Sequence, residues 1–71
     1  MVELWRTNDL AGLSYAEALL KDAGLTPFIL DAHTSVLEGS IGALPRRLVI
    51  DGDQAARAKA ILRDAGLPID A

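Results

Sequence analysis

The chain has 71 residues, a formal net charge of −3 and no cysteine. Its length predicts one domain over residues 1–71 with a small core. The lack of cysteine excludes disulfides and thiolate metal sites. The negative charge and the scarcity of aromatic residues argue against nucleic-acid binding, which depends on phosphate attraction and base stacking. No apolar run reaches the roughly 18 residues of a membrane helix, so we expect a cytoplasmic protein with no membrane contact.

The first half of the chain predicts a strand and then a helix. Residues 2–6 have a strand pattern, and the early charges of Glu3, Arg6 and Asp9 are not those of a signal peptide. Apolar residues at helical spacing over residues 9–23 predict a helix whose N-cap is Asn8 or Asp9.

Three glycines are informative: one lies inside the first predicted helix, and one follows each of the two helices. Gly12 lies inside the first helix and costs about 1 kcal/mol relative to alanine. Residues 21–27 (KDAGLTP) and 63–68 (RDAGLP) then repeat one stop signal, in which Gly24 and Gly66 can adopt a left-handed C-cap conformation. This repeat predicts two equivalent βα units.

The remaining elements complete a β-α-β-β-α-β order. Residues 25–31 and 47–51 predict two strands, residues 53–65 predict a helix with Asp53 as its cap, and residues 67–69 predict a short fourth strand. This order is that of the ferredoxin-like, or split βαβ, α+β fold. We therefore expect a four-stranded antiparallel sheet with both helices on one face.

Strand alternation predicts large apolar side chains on both faces of that sheet. It places Leu4 and Trp5 on opposite faces, and separates Ile29 from Phe28 and Leu30. Two helices can cover only one face, so we expect a homo-oligomer whose interface includes Trp5 and Ile29. The alternative is that Trp5 is a single exposed aromatic residue.

Residues 32–45 form a connection of 14 residues between two strands that a turn of about 2–5 residues could join. The segment contains Val36, Leu37, Ile41 and Leu44, so its composition does not suit a solvated tether. It is expected either to recognise a partner or to cap the small core.

Three stretches resemble a known bacterial family: ELWRT at residues 3–7, EGSIGALPRRLVI at 38–50 and ARAKAIL at 56–62. The family is a domain of unknown function whose members are labelled signal-transducing proteins, with a nitrogen-regulatory PII-like (GlnB-like) fold. The resemblance implies that fold over nearly the whole chain. It also implies a contact role for the connection between the second and third strands.

Catalytic and metal chemistry have little support in the sequence. His33 is the only histidine, and its neighbours Asp31 and Glu38 lack the spacing of recognised metal sites. Ser35 and Ser40 have no evident base and orienting acid. We therefore expect no metal, no cofactor and no enzymatic activity.

Anion binding has more support, because glycine-rich backbone and arginine forks both hold oxyanions. The alternative is that the glycines only form turns and the arginines protect a strand edge. The candidate residues for ligand or partner binding are His33, Ser35, Glu38, Gly39, Ser40, Gly42, Arg46 and Arg47. Two functions remain: a regulatory or protein-interaction module using residues 32–47 and the open sheet face, or a sensor of a small anion or nucleotide.

Overall fold

The computed structural model describes residues 1–30 and 45–69. In these residues the elements follow the order β1 (Val2–Thr7), α1 (Leu10–Asp22), β2 (Phe28–Leu30), β3 (Arg46–Ile50) and α2 (Gly52–Asp64). The strands form a sheet of order β1-β3-β2, in which β3 is antiparallel to both neighbours. The predicted α+β class with two helices and an antiparallel sheet is confirmed. No helix in this part of the chain has the length and apolarity needed to cross a membrane.

Helix α1 begins at the cap that its sequence indicates. The Asp9 carboxylate accepts a hydrogen bond from the Gly12 backbone N–H at 3.0 Å. This bond satisfies one of the N–H groups that the first helical turn leaves without a partner. In α2 the cap is Asp51 and not the predicted Asp53, since the Asp51 carboxylate accepts from the Asp53 backbone N–H at 3.4 Å. Asp53 instead places its charge in the first turn, where the helix dipole favours an anion.

Both helices end in the same hydrogen-bonded motif, as the repeated stop signal predicts. Gly24 and Gly66 have φ values of 84° and 82°. After α1, the Leu25 N–H donates to the Leu20 carbonyl at 2.9 Å; after α2, the Leu67 N–H donates to the Leu62 carbonyl at 3.1 Å. This pattern is a Schellman motif, whose apolar residue after the glycine folds back against the helix.

The Schellman motifs explain two differences from the predicted strands. Strand β2 begins at Phe28 and not at residue 25, because the Leu25 N–H bonds to its helix. The predicted strand at residues 67–69 does not form among the described residues. There the Ile69 N–H donates to the Leu67 carbonyl at 2.9 Å, and both side chains pack partly buried against the core.

A β-bulge in β1 changes which side chains reach the core. Glu3 pairs with Val49 and Trp5 with Leu48, so Leu4 is an extra residue with no partner in β3. Both Leu4 and Trp5 are buried, at 1 % and 5 % exposure. The prediction that they lie on opposite faces is therefore wrong.

One core cluster joins both helices to one face of the sheet. Leu48 and Ile50 of β3 are fully buried in it, together with Ala16 of α1 and Ala58 of α2. Alanine at these helix positions lets the backbones approach closely. Because both helices contribute to this cluster, they lie on the same face of the sheet. The other buried members are Leu4, Trp5, Leu13, Leu20, Leu25, Ala55 and Leu62.

Candidate interaction surface

The opposite face of the sheet carries six side chains, which we call the open face. Alternation in β3 places Arg47 and Val49 away from the buried Leu48 and Ile50. The register then assigns their neighbours to the same face. The open face consists of Glu3, Arg6, Phe28, Leu30, Arg47 and Val49. No helix in residues 1–30 or 45–69 lies on it.

The register arranges these side chains in two rows across the strands. One row is Glu3, Val49 and Phe28, and the other is Arg6, Arg47 and Leu30. Neighbouring strands are about 4.8 Å apart, and the rows are separated by about 7 Å along the strands. The six side chains are therefore adjacent, and Val49, which lies between Glu3 and Phe28, is itself buried at 4 % exposure.

Apolar and charged groups are separated on the open face. Phe28 and Leu30 lie on β2 and are 46 % and 40 % exposed, and the buried Val49 lies beside them on β3. Glu3 and Arg6 lie on β1, at the other edge of the described sheet. The surface thus has an apolar flank along β2 and a charged flank along β1.

The β1 bulge also creates an ion pair on the charged flank. Residues three apart in a regular strand point to opposite faces, but the extra residue Leu4 returns Glu3 and Arg6 to the same face. The Arg6 guanidinium donates to the Glu3 carboxylate at 3.0 Å. Both side chains are exposed, so the pair adds little to the free energy of folding.

Arg47 is the exposed cation at the centre of the open face. It lies directly opposite Arg6 in the register, and like charges in that relationship repel. Within the described residues its side chain has no ion pair or hydrogen bond. With two arginines and one glutamate, the open face is net positive on a chain whose net charge is −3. It therefore attracts an anionic group.

The structure separates the predicted arginine pair. Arg46 and Arg47 are consecutive in β3, so their side chains point to opposite faces of the sheet, and their role in binding stays a prediction. The predicted candidates His33, Ser35, Glu38, Gly39, Ser40 and Gly42 lie outside the described residues. Their role stays a prediction.

Trp5 and Ile29, predicted as interface residues, belong to the core side of the sheet. Trp5 is buried in the core cluster, and Ile29 packs partly buried against it. Their placement is corrected because the bulge turns Trp5 inward and the register pairs Ile29 with the buried Leu48. The apolar residues of β2 that face outward are Phe28 and Leu30. Whether copies of the chain associate stays a prediction.

Sequence reasoning missed Arg6 and Phe28 as surface residues that could act together with Arg47. Arg6 precedes Arg47 by 41 positions, and only the strand register brings them together. The one local signal was the alternation that set Phe28 and Leu30 apart from Ile29, which the structure confirms.

The chemistry of the open face is that of binding. Arginine does not lose its proton in proteins and so does not act as a general base. Its guanidinium instead forms paired hydrogen bonds to carboxylates and phosphates. Within residues 1–30 and 45–69 no three acidic, histidine or cysteine side chains form a group suited to a metal ion. The arrangement can hold a ligand that presents an acidic group beside an apolar one.

Comparison with protein families gives a match over most of the chain. The model of a family of unknown function, described as "putative prokaryotic signal transducing protein", matches residues 1–66. The match includes every helix and strand formed by the described residues and all six residues of the open face. No curated protein matches the chain.

Proposed function

We propose that this chain, which belongs to the prokaryotic signal-transducing family matched over residues 1–66, is a non-enzymatic module that binds a protein partner through its open face. The observation that carries the proposal is the exposure of Phe28 and Leu30 beside Arg47, whose side chain has no partner among the described residues. Exposed apolar groups next to an arginine are typical of protein interfaces. The proposal also assigns a contact role to residues 32–45, which join β2 and β3.

The proposal includes a cytoplasmic location and the complete ferredoxin-like fold. Strand β3 lies between β1 and β2, which is the split βαβ arrangement. In a second split βαβ unit made of β3, α2 and a following strand, that strand lies on the far side of β1. This position is the free edge of the described sheet. We propose that a fourth strand takes that position, which would give the PII-like sheet of four strands.

Site-specific crosslinking tests the proposed surface. A photoreactive amino acid at Phe28 is expected to crosslink the chain to a discrete partner in living cells. The matched control is the same amino acid at Tyr15, which is 51 % exposed but lies on α1. Equal crosslinking from both positions, or none from Phe28, would contradict the proposal.

A second function, binding of a small anion or nucleotide, is favoured by Arg6 and Arg47 alone. Two guanidinium groups opposite each other on one face could hold a phosphate. A ligand that binds only the native state raises its stability, so inorganic phosphate, pyrophosphate and ATP can be compared by thermal shift. A rise in Tm that Arg47→Ala abolishes supports the sensor, and no rise with any of the three argues against it.

A further inference from the structure

We infer that the open face binds one amphipathic helix of a partner protein, with an apolar stripe flanked by a stripe of aspartate and glutamate. The inference rests on the proposed function and names the kind of partner that fits it. Three properties of the open face point to this ligand: its size, the separation of its apolar and charged flanks, and its charge.

The size of the open face suits a single helix. Three strands at about 4.8 Å spacing, with about five residues at 3.3 Å each, give a face of roughly 14 by 16 Å. A helix with its side chains is about 10–12 Å wide, and three turns span about 16 Å. One helix of that length would therefore cover most of the open face.

The separation of flanks requires a ligand with two adjacent stripes. The exposed Phe28 and Leu30 of β2 need apolar contacts, and Arg6 with Arg47 needs acidic groups on the side toward β1. Residues three and four apart in a helix share a side, so one helix can present both stripes at once. A helix lying in an apolar groove is a common form of peptide recognition.

The repulsion between Arg6 and Arg47 determines the sign of charge on the polar stripe of the partner helix. Arg6 already has Glu3 at 3.0 Å, whereas Arg47 has no partner in the described residues. A carboxylate placed over Arg47 would form a charge-assisted bond and reduce its repulsion with Arg6. A lysine-rich stripe would add a third cation at the same place.

Selection from a displayed library of random 16-residue helical peptides tests this inference. The full chain is expected to select peptides in which Leu, Ile or Phe at helical spacing is flanked by Asp and Glu. Binding of the selected peptides is then measured by fluorescence anisotropy. Arg47→Glu is expected to raise the Kd of the selected peptides by at least about tenfold, which corresponds to about 1.4 kcal/mol of binding free energy. The same selection on Arg47→Glu is expected to yield Lys and Arg in place of the acids.

Arg57→Glu is the matched control, because Arg57 is exposed on α2 and lies on the other side of the molecule. It should leave binding unchanged. Peptides that bind through Phe28 and Leu30 without enrichment in acids would overturn the inference and leave the proposed function standing. Peptides that bind elsewhere, or no binding peptides at all, would overturn both.

Two other occupants would also overturn the inference. If the chain sediments as an oligomer that Arg47→Glu dissociates, the open face binds a second copy. If acidic helical peptides bind only after residues 36–43 are deleted, the chain's own connection occupies the face. Thermal unfolding of each variant, including the deletion, confirms that the protein compared is folded.

Discussion

The outer edge of the Trp5 ring lies where a side chain at position 12 would have to be. A Cβ atom placed on Gly12 would be 2.8 Å from Trp5 Cη2 and 2.6 Å from Asp9 Oδ2. Glycine inside a helix normally costs about 1 kcal/mol relative to alanine. Here that cost is offset, because the missing Cβ lets the indole pack against the first turn of α1 while Asp9 caps it.

We expect Gly12→Ala to destabilise the protein by about 1–3 kcal/mol, opposite in sign to the usual effect in a helix. The new methyl group would displace either the ring or the cap. Urea unfolding measures the change in the free energy of unfolding. Gly52→Ala is the control, since a Cβ there would meet only Val2 Cγ2 at 3.9 Å, and we expect it to change stability by less than about 0.5 kcal/mol.

A double-mutant cycle identifies the cause of the Gly12→Ala effect. Phenylalanine lacks the outer ring atom that lies near position 12, so Gly12→Ala should cost less in a Trp5→Phe background. An equal cost in both backgrounds would mean that the Asp9 cap, and not the ring, is what the methyl group displaces.

The helices could be predicted from the sequence because their signals are local. Helix limits of 9–23 and 53–65 differ by one residue at each end from α1 and α2. The Gly24 and Gly66 stops depend on one backbone angle at each position. The packing of Trp5 on Gly12 was not predictable, because the bulge at Leu4 depends on pairing with a strand more than 40 residues away.

The two N-caps should differ in strength. Asp9 accepts from the Gly12 N–H at 3.0 Å, whereas the Asp51 bond to the Asp53 N–H is 3.4 Å long. We therefore expect Asp9→Ala to lower the free energy of unfolding by about 1 kcal/mol, and Asp51→Ala to lower it by less. Urea unfolding of both variants at one ionic strength makes the comparison. A larger loss for Asp51→Ala would contradict the order that these distances indicate.

The two C-terminal glycines should behave alike. Gly24 and Gly66 have φ near +80° and open space where a Cβ would be, so substitution there perturbs only the backbone. We expect Gly24→Ala and Gly66→Ala each to cost about 1–2 kcal/mol. Asparagine at either position should cost less than alanine, because it tolerates the left-handed conformation better. Clearly unequal costs would show that the repeated motif is not used equivalently.

The candidate site was harder to predict than the helices. The sequence singled out Arg46 and Arg47 because they are adjacent, but adjacent residues in a strand point to opposite faces. The arginines that share a face are Arg6 and Arg47, and only the register across β1 and β3 reveals it. Sequence patterns report local periodicity, whereas a surface built across strands depends on long-range pairing.

Strand β2 offers a test of the open face in three consecutive residues. Ile29 packs against the core, whereas Phe28 and Leu30 are 46 % and 40 % exposed on the opposite face. Ile29→Ser removes buried apolar contacts and places a hydroxyl against the core. We expect it to lower the free energy of unfolding by about 2 kcal/mol or more. Phe28→Ser and Leu30→Ser should each change it by less, about 0.5–1 kcal/mol, because these side chains are already 46 % and 40 % exposed.

Thermal and urea unfolding of the three variants, at a protein concentration where the chain is monomeric, measure this difference. Alternation alone predicts it, since one strand cannot bury all three side chains against the same core. If Phe28→Ser destabilised the monomer as much as Ile29→Ser, the face would be covered within the chain itself. The surface on which the proposed function depends would then not be available to a partner. A small effect at Phe28 and a large one at Ile29 would leave two exposed apolar side chains beside Arg47, as partner binding requires.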